Sequence, residues 1–468
     1  MFEIKGKHAT ALVTIDFIED DCITQIRGIL DHPLYDGSSI VIMPDTHSGK
    51  GSVIGFTCTL NGRGICVNIV GVDICCGMNC WKITPPTDLP ALDRSIRSVI
   101  PLGSETHAEA VSTMEANFPW EEADSDVRNF VDAFNRRFGT GYVAAHIDYA
   151  WFTGLCSRIV AGGQTATKFR SAIDRSIGTL GGGNHFIEVS VDKEGQHYLI
   201  VHSGSRNFGK RVADYYQKRA ESQEHNQGQN RDLAYLQGQE MMDYLVVMVF
   251  MKHFAALNRR TMGNRIGREA GLALSGMIET IHNFIDHEDF TLRKGAIRSY
   301  AGELMIIPFN MRDGSWICEG RSNPAWNLSA PHGAGRLMSR TDAMRVIRLD
   351  EFREQMKGIF TTSVDINTID EAPDSYKPAA LIQAAIQPTA TIIHQLKPVY
   401  NLKSSEEHPP ARKKRGEDRN LQDNSPDAIW ARFRTTIPKK YTENPEDEAA
   451  IRKMFETDRR ATCKKYRV

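Results

Sequence analysis

The sequence has almost no net charge, no long apolar run and no internal repeat. Its 57 Lys and Arg residues nearly balance 58 Asp and Glu residues, which gives a formal net charge of −1. Any contact with nucleic acid must therefore come from a local basic patch, because no overall positive field attracts phosphates. The longest apolar run, residues 244–251, is too short to span a bilayer. No N-terminal segment resembles a signal peptide.

Cysteine is scarce and odd in number, with nine in 468 residues. An odd count without a secretory context argues against a disulfide framework and favours reduced thiols in the cytoplasm. With 41% hydrophobic and 25% charged residues, the composition is that of a globular protein with one large or two medium domains. Three of the cysteines, Cys75, Cys76 and Cys80, crowd together, which is unusual for so small a number.

A complete P-loop is also absent, although one stretch resembles part of one. Residues 40–43 predict a strand, and the loop that follows reads Pro44-Asp45-Thr46-His47-Ser48-Gly49-Lys50-Gly51-Ser52. It lacks the first glycine of a phosphate loop at the required spacing, so we reject that motif. Asp45 and His47 are candidate site residues, because polar loops after strands often carry chemistry. The alternative is a capping aspartate and a turn histidine.

An aspartate and two cysteines follow the apolar segment at residues 69–72. This segment predicts a strand that ends at Asp73, and a turn at Ile74 and Cys75 would bring the Asp73 carboxylate and a cysteine thiolate to one ion. The alternative is a buried structural thiol beside a turn aspartate, since free cysteine is commonly buried. Histidines elsewhere in the chain decide between the two interpretations.

Two histidines in glycine-rich loops support the metal interpretation. His185 follows three consecutive glycines, which are entropically costly unless the backbone must pass close to a ligand. Residues 197–201 predict a strand that leads into His202 and a second loop of small residues. A lone histidine would more often be a core residue. Two such histidines after an Asp-x-x-Cys motif make a metal site the working hypothesis.

The middle of the chain predicts two helices. Apolar residues at helical spacing and the absence of proline predict one helix over residues 232–260. A second helix is predicted over about residues 269–283. It would place His282 on its apolar face, either in the core or as a further ligand.

The loop around His332 has the residue types of a phosphate site, and it reads Ala330-Pro331-His332-Gly333-Ala334-Gly335-Arg336-Leu337-Met338-Ser339-Arg340. Small residues let backbone N–H groups approach a phosphate, and arginine offers a forked cation. The histidine at its mouth is a potential nucleophile. The alternative is a glycine-rich turn before a surface helix, here predicted over residues 341–358.

In kind and in order, these motifs resemble those of the RtcB-type RNA ligases. The motifs are Pro44-Asp45-Thr46-His47, Asp73-Ile74-Cys75-Cys76-Gly77-Met78, Gly181-Gly182-Gly183-Asn184-His185-Phe186, His202-Ser203-Gly204-Ser205-Arg206, His282-Asn283 and His332-Gly333-Ala334-Gly335-Arg336. The resemblance covers roughly residues 1–403. It implies an α/β fold particular to that family, with a deep central cleft for metal and GTP, and not a Rossmann fold.

The resemblance implies an enzyme that joins RNA 3′-phosphate or 2′,3′-cyclic phosphate ends to 5′-hydroxyl ends, in tRNA splicing or RNA repair. It would use GTP and two manganese ions, with His332 attacking the GTP α-phosphate and carrying GMP. The implied metal ligands are Asp73, Cys76, His185, His202 and His282, with Cys76 bridging the two ions. The implied nucleotide-binding residues are Asn184, His185, Phe186, Ile187, Glu188, His282, Asn283, Pro308, Phe309, Asn310, Met311, Ser315, His332, Gly333, Ala334, Gly335, Arg336, Tyr376 and Lys403. The expected protein is a cytoplasmic monomer. An archease-type protein is its candidate activating partner.

The sequence departs from the family pattern in three places. Cys75 stands where a small residue usually precedes the metal cysteine, and Asn310 with residues 316–326 differs from the usual serine-rich run. Lys403 normally closes the chain, yet residues 404–468 follow here. The manganese assignment also rests on the resemblance alone, because an Asp/Cys/His set would by itself favour zinc.

Residues 404–468 predict a charged, mildly basic and partly disordered extension to a ligase domain at residues 1–403. It carries the basic run Arg412-Lys413-Lys414-Arg415, few aliphatic residues and a helical stretch near residues 445–460. On this basis, truncation after Lys403 is expected to weaken RNA binding and to leave guanylylation intact.

Two other functions remain open from the sequence. A metal-dependent phosphodiesterase could open 2′,3′-cyclic phosphates without joining ends, and it would need neither His332 nor GTP. A non-enzymatic RNA-binding protein could use the basic extension as its main contact, and it would need neither metal nor an intact histidine loop.

Overall fold

The computed structural model describes residues 1–160, 163–404, 430, 434 and 445–457. Its architecture is mixed α/β, with a six-stranded sheet and a seven-stranded sheet as the main layers. The strands are β1 (Phe2–Lys5), β2 (Thr10–Val13), β3 (Ile40–His47), β4 (Ile54–Thr59), β5 (Ile65–Cys66), β6 (Gly77–Ile83), β7 (Phe186–Val191), β8 (His197–Ser203), β9 (Tyr235–Leu236), β10 (Leu274–Ile281), β11 (Phe284–Ile285), β12 (Thr291–Lys294), β13 (Ala296–Arg298), β14 (Leu304–Asn310), β15 (Gly314–Gly320), β16 (Ser329–Pro331) and β17 (Ala390–Lys403).

The helices lie between and around these strands. They are α1 (Asp20–Leu30), α2 (Val67–Val70), α3 (Leu89–Val99), α4 (Met114–Asn117), α5 (Trp120–Phe138), α6 (Tyr149–Ile159), α7 (Ala166–Ser176), α8 (Arg206–Ser222), α9 (Gly238–Ala270), α10 (Arg340–Val346), α11 (Leu349–Gln355), α12 (Ala379–Ala385) and α13 (Pro445–Thr457). Among the described residues, no helix is at once long and apolar enough to cross a membrane.

The seven-stranded sheet runs in the order β10-β6-β8-β7-β17-β15-β14, and each neighbouring pair is antiparallel. The six-stranded sheet runs β1-β2-β3-β4-β12-β11, with only β2 and β3 parallel. Mostly antiparallel ladders exclude a doubly wound Rossmann sheet, whose strands are parallel. The expected α/β fold is therefore confirmed, including its distinction from the Rossmann fold.

Strand alternation divides the seven-stranded sheet into a core face and a site face. On β8, Leu199 and Val201 pack in an apolar cluster with Met262 of the long helix α9. Ile200 and His202, which alternate with them along the strand, point to the opposite face. This period of two explains how one strand can serve the core and present a ligand.

Two element predictions near the site are wrong. The segment before Asp73 is the short helix α2, followed by a turn in which Cys75 has a φ of 54°, and the strand begins only at Gly77. The predicted helix over residues 269–283 is instead β10, which pairs with β6. Gly271, in the left-handed region, ends α9 before this segment. Pairing with the sheet then outweighs the local helical spacing.

Two other helices were predicted in the right place with different bounds. The helix expected over residues 232–260 is α9, Gly238–Ala270, which starts and ends later. The helix expected over residues 341–358 is divided into α10 and α11.

Part of the C-terminal extension packs against the rest of the protein. Helix α13 coincides with the predicted helical stretch. Trp430 and Phe455 are buried, with ring centroids 5.6 Å apart, and Ile451 is buried beside them. These three side chains share an apolar cluster with Met311, Met338 and residues of α10 and α11. The basic run at residues 412–415 lies outside the described residues.

Candidate functional site

The turn after α2 brings Asp73 and Cys76 to His185, which immediately precedes β7. His185 Nε2 lies 2.9 Å from Asp73 Oδ2 and 3.4 Å from Cys76 Sγ. The other ring nitrogen, Nδ1, lies 2.9 Å from the carbonyl oxygen of Leu180. That contact requires a proton on Nδ1, so the Nε2 lone pair faces the carboxylate and the sulfur. A cation bound between these three atoms would stabilise this arrangement, in which a nitrogen lone pair faces a carboxylate and a sulfur.

Cys76 also belongs to a second group, with His202 and His282. Its Sγ lies 3.3 Å from His202 Nε2, and the two histidine Nε2 atoms are 3.4 Å apart. Within each group the ligand atoms all lie within 4.8 Å of one another. We call the five residues the metal cluster, namely Asp73, Cys76, His185, His202 and His282. The Cys76 sulfur is therefore common to both groups.

Burial sets the protonation of the second group. Burial lowers the pKa of His202 and of His282 well below the usual value, because the charged imidazolium is poorly solvated there. Both Nδ1 atoms are buried without a hydrogen-bond partner. Neutral imidazoles are the form that binds metal, and their Nε2 atoms converge on Cys76.

The thiol itself needs a cation to ionise. Burial raises the pKa of the Cys76 thiol well above its usual value, and the nearby Asp73 carboxylate raises it further. A bound divalent cation reverses that effect and stabilises the thiolate. One carboxylate, one shared thiolate and three imidazoles together suit a transition metal. The residues present therefore fit a metal site.

A glycine makes room for the Asp73 carboxylate. The backbone N–H of Ser205 donates to Asp73 Oδ1 at 3.1 Å. A Cβ on Gly204 would lie 2.2 Å from that same oxygen. Only glycine therefore allows the turn after His202 to hold the carboxylate so closely.

His332 is held by a buried aspartate. Its Nδ1 donates to Asp45 Oδ2 at 2.7 Å, and the backbone N–H groups of His332 and Gly333 donate to the same oxygen at 3.1 and 3.2 Å. A proton on Nδ1 leaves the Nε2 lone pair free. The His332 ring lies 4.9 Å from the His282 ring. A nucleophilic nitrogen therefore stands beside the metal cluster, and Asp45 is the residue that orients it.

The His332 loop can approach Asp45 only because of Gly335. This residue has a φ of 73°, and a Cβ there would lie 2.0 Å from the Asp45 carbonyl oxygen. His47 is placed by the same strand end, where its Nδ1 lies 3.1 Å from that carbonyl oxygen. Burial lowers the pKa of His47 to about 3, so its imidazole is neutral.

A cavity of about 290 Å³ opens between His332 and the end of β17. It is lined by His47, Asn184, Phe186, Glu188, His202, Pro308, Phe309, Asn310, Met311, Gly314, Ser315, His332, Gly333, Ala334, Gly335, Arg336, Arg340, Tyr376, Asn401 and Lys403. His202 belongs both to this lining and to the metal cluster, so the two features are contiguous. We call this space the central cavity.

Most of the residues predicted to bind a nucleotide line this cavity, and four do not. His185 and His282 lie in the metal cluster instead. Ile187 faces the opposite side of β7 and is fully buried in the apolar core, because strand residues alternate. The Asn283 side-chain amide donates to the Asp73 carbonyl oxygen at 3.2 Å, so it supports the metal turn.

The Glu371 carboxylate forms ion pairs with three cationic side chains at one wall of the central cavity. The carboxylate pairs with Lys403, lies 2.8 Å from Arg340 Nη1 and 3.3 Å from Arg336 Nη1, and accepts a hydrogen bond from Tyr376. Burial alone would raise the pKa of Glu371, but Lys403 and the two arginines hold it well below its usual range. Three cations around one carboxylate leave a net positive wall, which favours an anionic ligand.

Sequence reasoning missed Glu371 and Arg206 as parts of the site. Arg206 Nε donates to Thr179 Oγ1 at 3.1 Å, and Nη1 lies 3.5 Å from His185 Nδ1. Arg206 belongs to the His202-Ser203-Gly204-Ser205-Arg206 motif, but the sequence alone did not predict its contact with His185. Glu371 lies in a short acidic stretch without a spacing pattern, and only the fold brings Arg336 and Lys403 to it.

Glu188 provides a pH-dependent prediction. It is 2% exposed in the central cavity and accepts hydrogen bonds from Ser190 and Asn401. Burial raises its pKa from 4.5 to about 7. The folded state therefore keeps a proton that the unfolded chain has lost, and the free energy of unfolding falls as pH rises from about 4.5 to 7. Glu188→Gln should remove this contribution, of order 3 kcal/mol.

The measurement is urea denaturation of the wild type and Glu188→Gln at several pH values between 4.5 and 7.5. The exposed Glu319 of β15 supplies a matched control, Glu319→Gln, which should keep the wild-type slope. Parallel curves for the wild type and Glu188→Gln would contradict the raised pKa.

Comparison with known proteins identifies a family. The family model described as tRNA-splicing ligase RtcB matches residues 25–404. The chain is 30% identical over 392 residues to the RNA-splicing ligase RtcB of Escherichia coli K12, which covers 78% of this chain and 90% of that protein. It is also similar to two archaeal tRNA-splicing ligases RtcB. The one from Aeropyrum pernix is 29% identical over 72% of this chain and 82% of its own length. The one from Pyrobaculum aerophilum is 26% identical over 74% and 84%, respectively.

Proposed function

Because the chain belongs to the RtcB family of tRNA-splicing ligases, we propose that it is an RNA ligase. It would join RNA ends with a 3′-phosphate or 2′,3′-cyclic phosphate to RNA ends with a 5′-hydroxyl, in RNA repair or tRNA splicing. The observation that carries the proposal is the placement of His332. Asp45 holds its Nδ1 proton, its ring lies 4.9 Å from the ring of His282 in the metal cluster, and it lines a cavity with a cationic wall.

The first step is guanylylation of His332. Its Nε2 attacks the α-phosphorus of GTP, a nitrogen–phosphorus bond forms, and the bond to the β-phosphate oxygen breaks to release pyrophosphate. The Asp45 carboxylate holds the Nδ1 proton and stabilises the positive charge that develops on the ring. Arg336, Arg340 and Lys403 stand where they can neutralise the anionic nucleotide.

Two further steps complete the reaction. An oxygen of the RNA 3′-phosphate attacks the phosphorus of the histidine-bound GMP, which frees His332 and caps the RNA end. The 5′-hydroxyl of the second RNA then attacks the capped phosphate, and GMP leaves. A 2′,3′-cyclic phosphate must first be opened by water to a 3′-phosphate. The cap is needed because a bare phosphate offers the 5′-hydroxyl no good leaving group.

We propose that the metal cluster would hold two manganese ions. Metals bound there would neutralise phosphate charge and polarise phosphoryl oxygens. Asp73 and His185 would hold one ion with Cys76, and His202 and His282 would hold the other. The protein fixes these ligands through Ser205 and Leu180, whose backbone groups orient Asp73 and His185.

The domain organisation and setting are part of the same proposal. Residues 1–403 form the ligase domain, and residues 404–468 are an extension to it. The protein acts as a cytoplasmic monomer, and an archease-type partner would serve as an activator.

The test is transfer of label from GTP. Purified protein incubated with manganese and α-labelled GTP should acquire label that is stable to alkali and labile to acid, as a phosphoramidate is. The same protein should join a 3′-phosphate RNA to a 5′-hydroxyl RNA only when GTP is present. Opening of a 2′,3′-cyclic phosphate without GTP, with no label and no joining, would instead identify a phosphodiesterase. RNA binding without either reaction would leave only a binding protein.

The two adjacent cysteines offer a matched pair of variants. Cys76→Ala removes the sulfur shared by both metal groups and should lower bound manganese and reduce ligation by more than about a hundredfold. Cys75→Ala should keep most of the activity, because the Cys75 sulfur lies 3.8 Å from the Met248 carbonyl oxygen, away from the cluster. Bound metal is counted by elemental analysis and joining by gel. Full activity in Cys76→Ala would exclude this ligand assignment.

A further inference from the structure

A second group of histidine and carboxylate side chains lies far along the sheet from the metal cluster. Asp192 and Glu194 belong to the turn between β7 and β8, and His394 belongs to β17. Their ligand atoms all lie within 4.8 Å of one another. The turn follows the end of β7 opposite to Phe186, and none of the three residues lines the central cavity.

The distances in this group differ from those of an ordinary hydrogen-bonded pair. His394 Nδ1 lies 3.6 Å from Asp192 Oδ2 and 3.6 Å from Glu194 Oε2. Both contacts are too long for a hydrogen bond, and the nitrogen is enclosed without a hydrogen-bond partner. Ligands bound at 2.0–2.2 Å to a tetrahedral ion lie roughly 3.3–3.6 Å apart. The spacing therefore suits an ion shared among the three atoms.

Asp192 is held in place for such a role. Its Oδ1 accepts hydrogen bonds from the backbone N–H groups of Glu194 and Gln196, at 3.0 and 2.9 Å. Its Oδ2 accepts one from the Tyr198 hydroxyl at 3.0 Å, and the Asp192 side chain is only 2% exposed. With Oδ1 occupied by the turn, Oδ2 is the oxygen that faces His394. Ligands fixed in this way by outer contacts lose little freedom when a metal binds.

From this geometry we propose that Asp192, Glu194 and His394 bind one divalent transition ion such as zinc. An imidazole with two carboxylates is a mixed nitrogen and oxygen set, which favours such ions over calcium or magnesium. Two carboxylates also balance the charge of the ion. The Glu194 and His394 side chains are 52% and 32% exposed, so the ion exchanges with solvent and water completes its coordination.

A bound ion would fasten the turn between β7 and β8 to the middle of β17. The register pairs Lys397 with Val191 at this end and Lys403 with Phe186 at the other. The site would therefore brace, from a distance, two strands that reach the central cavity. Its role is stabilisation of the sheet and not chemistry.

The experiment counts bound zinc in three proteins. Wild type, His394→Gln and His146→Gln are dialysed against zinc chloride, and zinc per chain is measured by elemental analysis. We expect one zinc fewer per chain in His394→Gln, and the wild-type number in His146→Gln. His146 is a matched control because its Nδ1 lies 3.1 Å from Asp124 Oδ1, an ordinary hydrogen bond. Zinc in the metal cluster is common to all three proteins and cancels in the comparison.

A second variant and a second measurement guard against misfolding. Glu194→Gln changes an exposed side chain and should weaken zinc binding at the Asp192, Glu194 and His394 site at least tenfold in a zinc titration. Zinc should also raise the melting temperature of the wild type and His146→Gln more than that of His394→Gln. Equal zinc content and equal thermal shifts in all four proteins would overturn the proposal and leave an ion pair. Neither measurement involves RNA or GTP, so the result is independent of the proposed ligase activity.

Discussion

His332→Ala should abolish the transfer of label from α-labelled GTP to the protein. Ligation of 3′-phosphate ends should fall by more than about a thousandfold, as expected when a covalent nucleophile is removed. The physical reason is the single free nitrogen, Nε2, which Asp45 orients by holding the Nδ1 proton. Label is measured by gel after quenching in alkali, and joining is measured with a 3′-phosphate and a 5′-hydroxyl RNA.

Two controls separate a nucleophile from a ligand or a structural residue. If His332 were a metal ligand, its loss would lower the bound manganese, and if it were structural, its loss would lower the melting temperature. We expect both to stay close to wild type. The variant should also still join RNA that is supplied with a preformed 3′-GMP cap, since that step needs no histidine nucleophile. Joining of uncapped ends at the wild-type rate would exclude covalent histidine catalysis.

Truncation after Ser404 should destabilise the protein and strongly reduce guanylylation. It removes Trp430, Ile451 and Phe455 from the apolar cluster that also holds Met311 and Met338. Loss of a buried aromatic side chain typically costs about 3–5 kcal/mol. Met311 lines the central cavity and Met338 lies between Arg336 and Arg340, so the loosened region carries the residues proposed to bind GTP. This changes the expectation from the sequence, in which guanylylation survives truncation.

One point mutant and one fourfold mutant distinguish packing from charge. Phe455→Ala should reproduce part of the loss of stability and label transfer in the full-length chain. A variant with the basic residues 412–415 replaced by alanine should keep both and should weaken only RNA binding, most visibly at low salt. Melting temperature, label transfer and RNA affinity are measured for each. A truncated protein with the wild-type melting temperature and label transfer would show that the packed residues are dispensable.

Local motifs were enough to predict most of the residues that line the central cavity or form the metal cluster. Histidine, cysteine and aspartate in loops of small residues are rare enough in combination to indicate a site before the fold is known. His332 and Gly335 are examples, since the loop needs a residue without a side chain where it passes Asp45. The Asp-x-x-Cys spacing already favoured Cys76 over the adjacent Cys75, and only the resemblance implied that its sulfur serves two ions.

The rest depended on contacts between distant segments. The apolar spacing of residues 274–281 suits a helix, and only the free edge of β6 makes it a strand. His282 follows the end of that strand and lies beside His202, whereas the predicted helix left open whether His282 was a core residue or a ligand. Glu371 is similar, because its partners Arg336 and Lys403 come from separate parts of the chain. Local secondary-structure propensity carries no information about such long-range contacts.

The end of β17 determines where the extension starts. Lys403 lines the central cavity, and Ser404, the next residue, is still buried. The basic run begins eight residues later, so covalent geometry keeps Arg412 within about 30 Å of the point where the chain leaves the sheet. A polyanion held by these side chains would therefore be tethered at the cavity, with an effective concentration of order millimolar. Weak contacts of RNA with the basic run would in this way raise the occupancy of the central cavity.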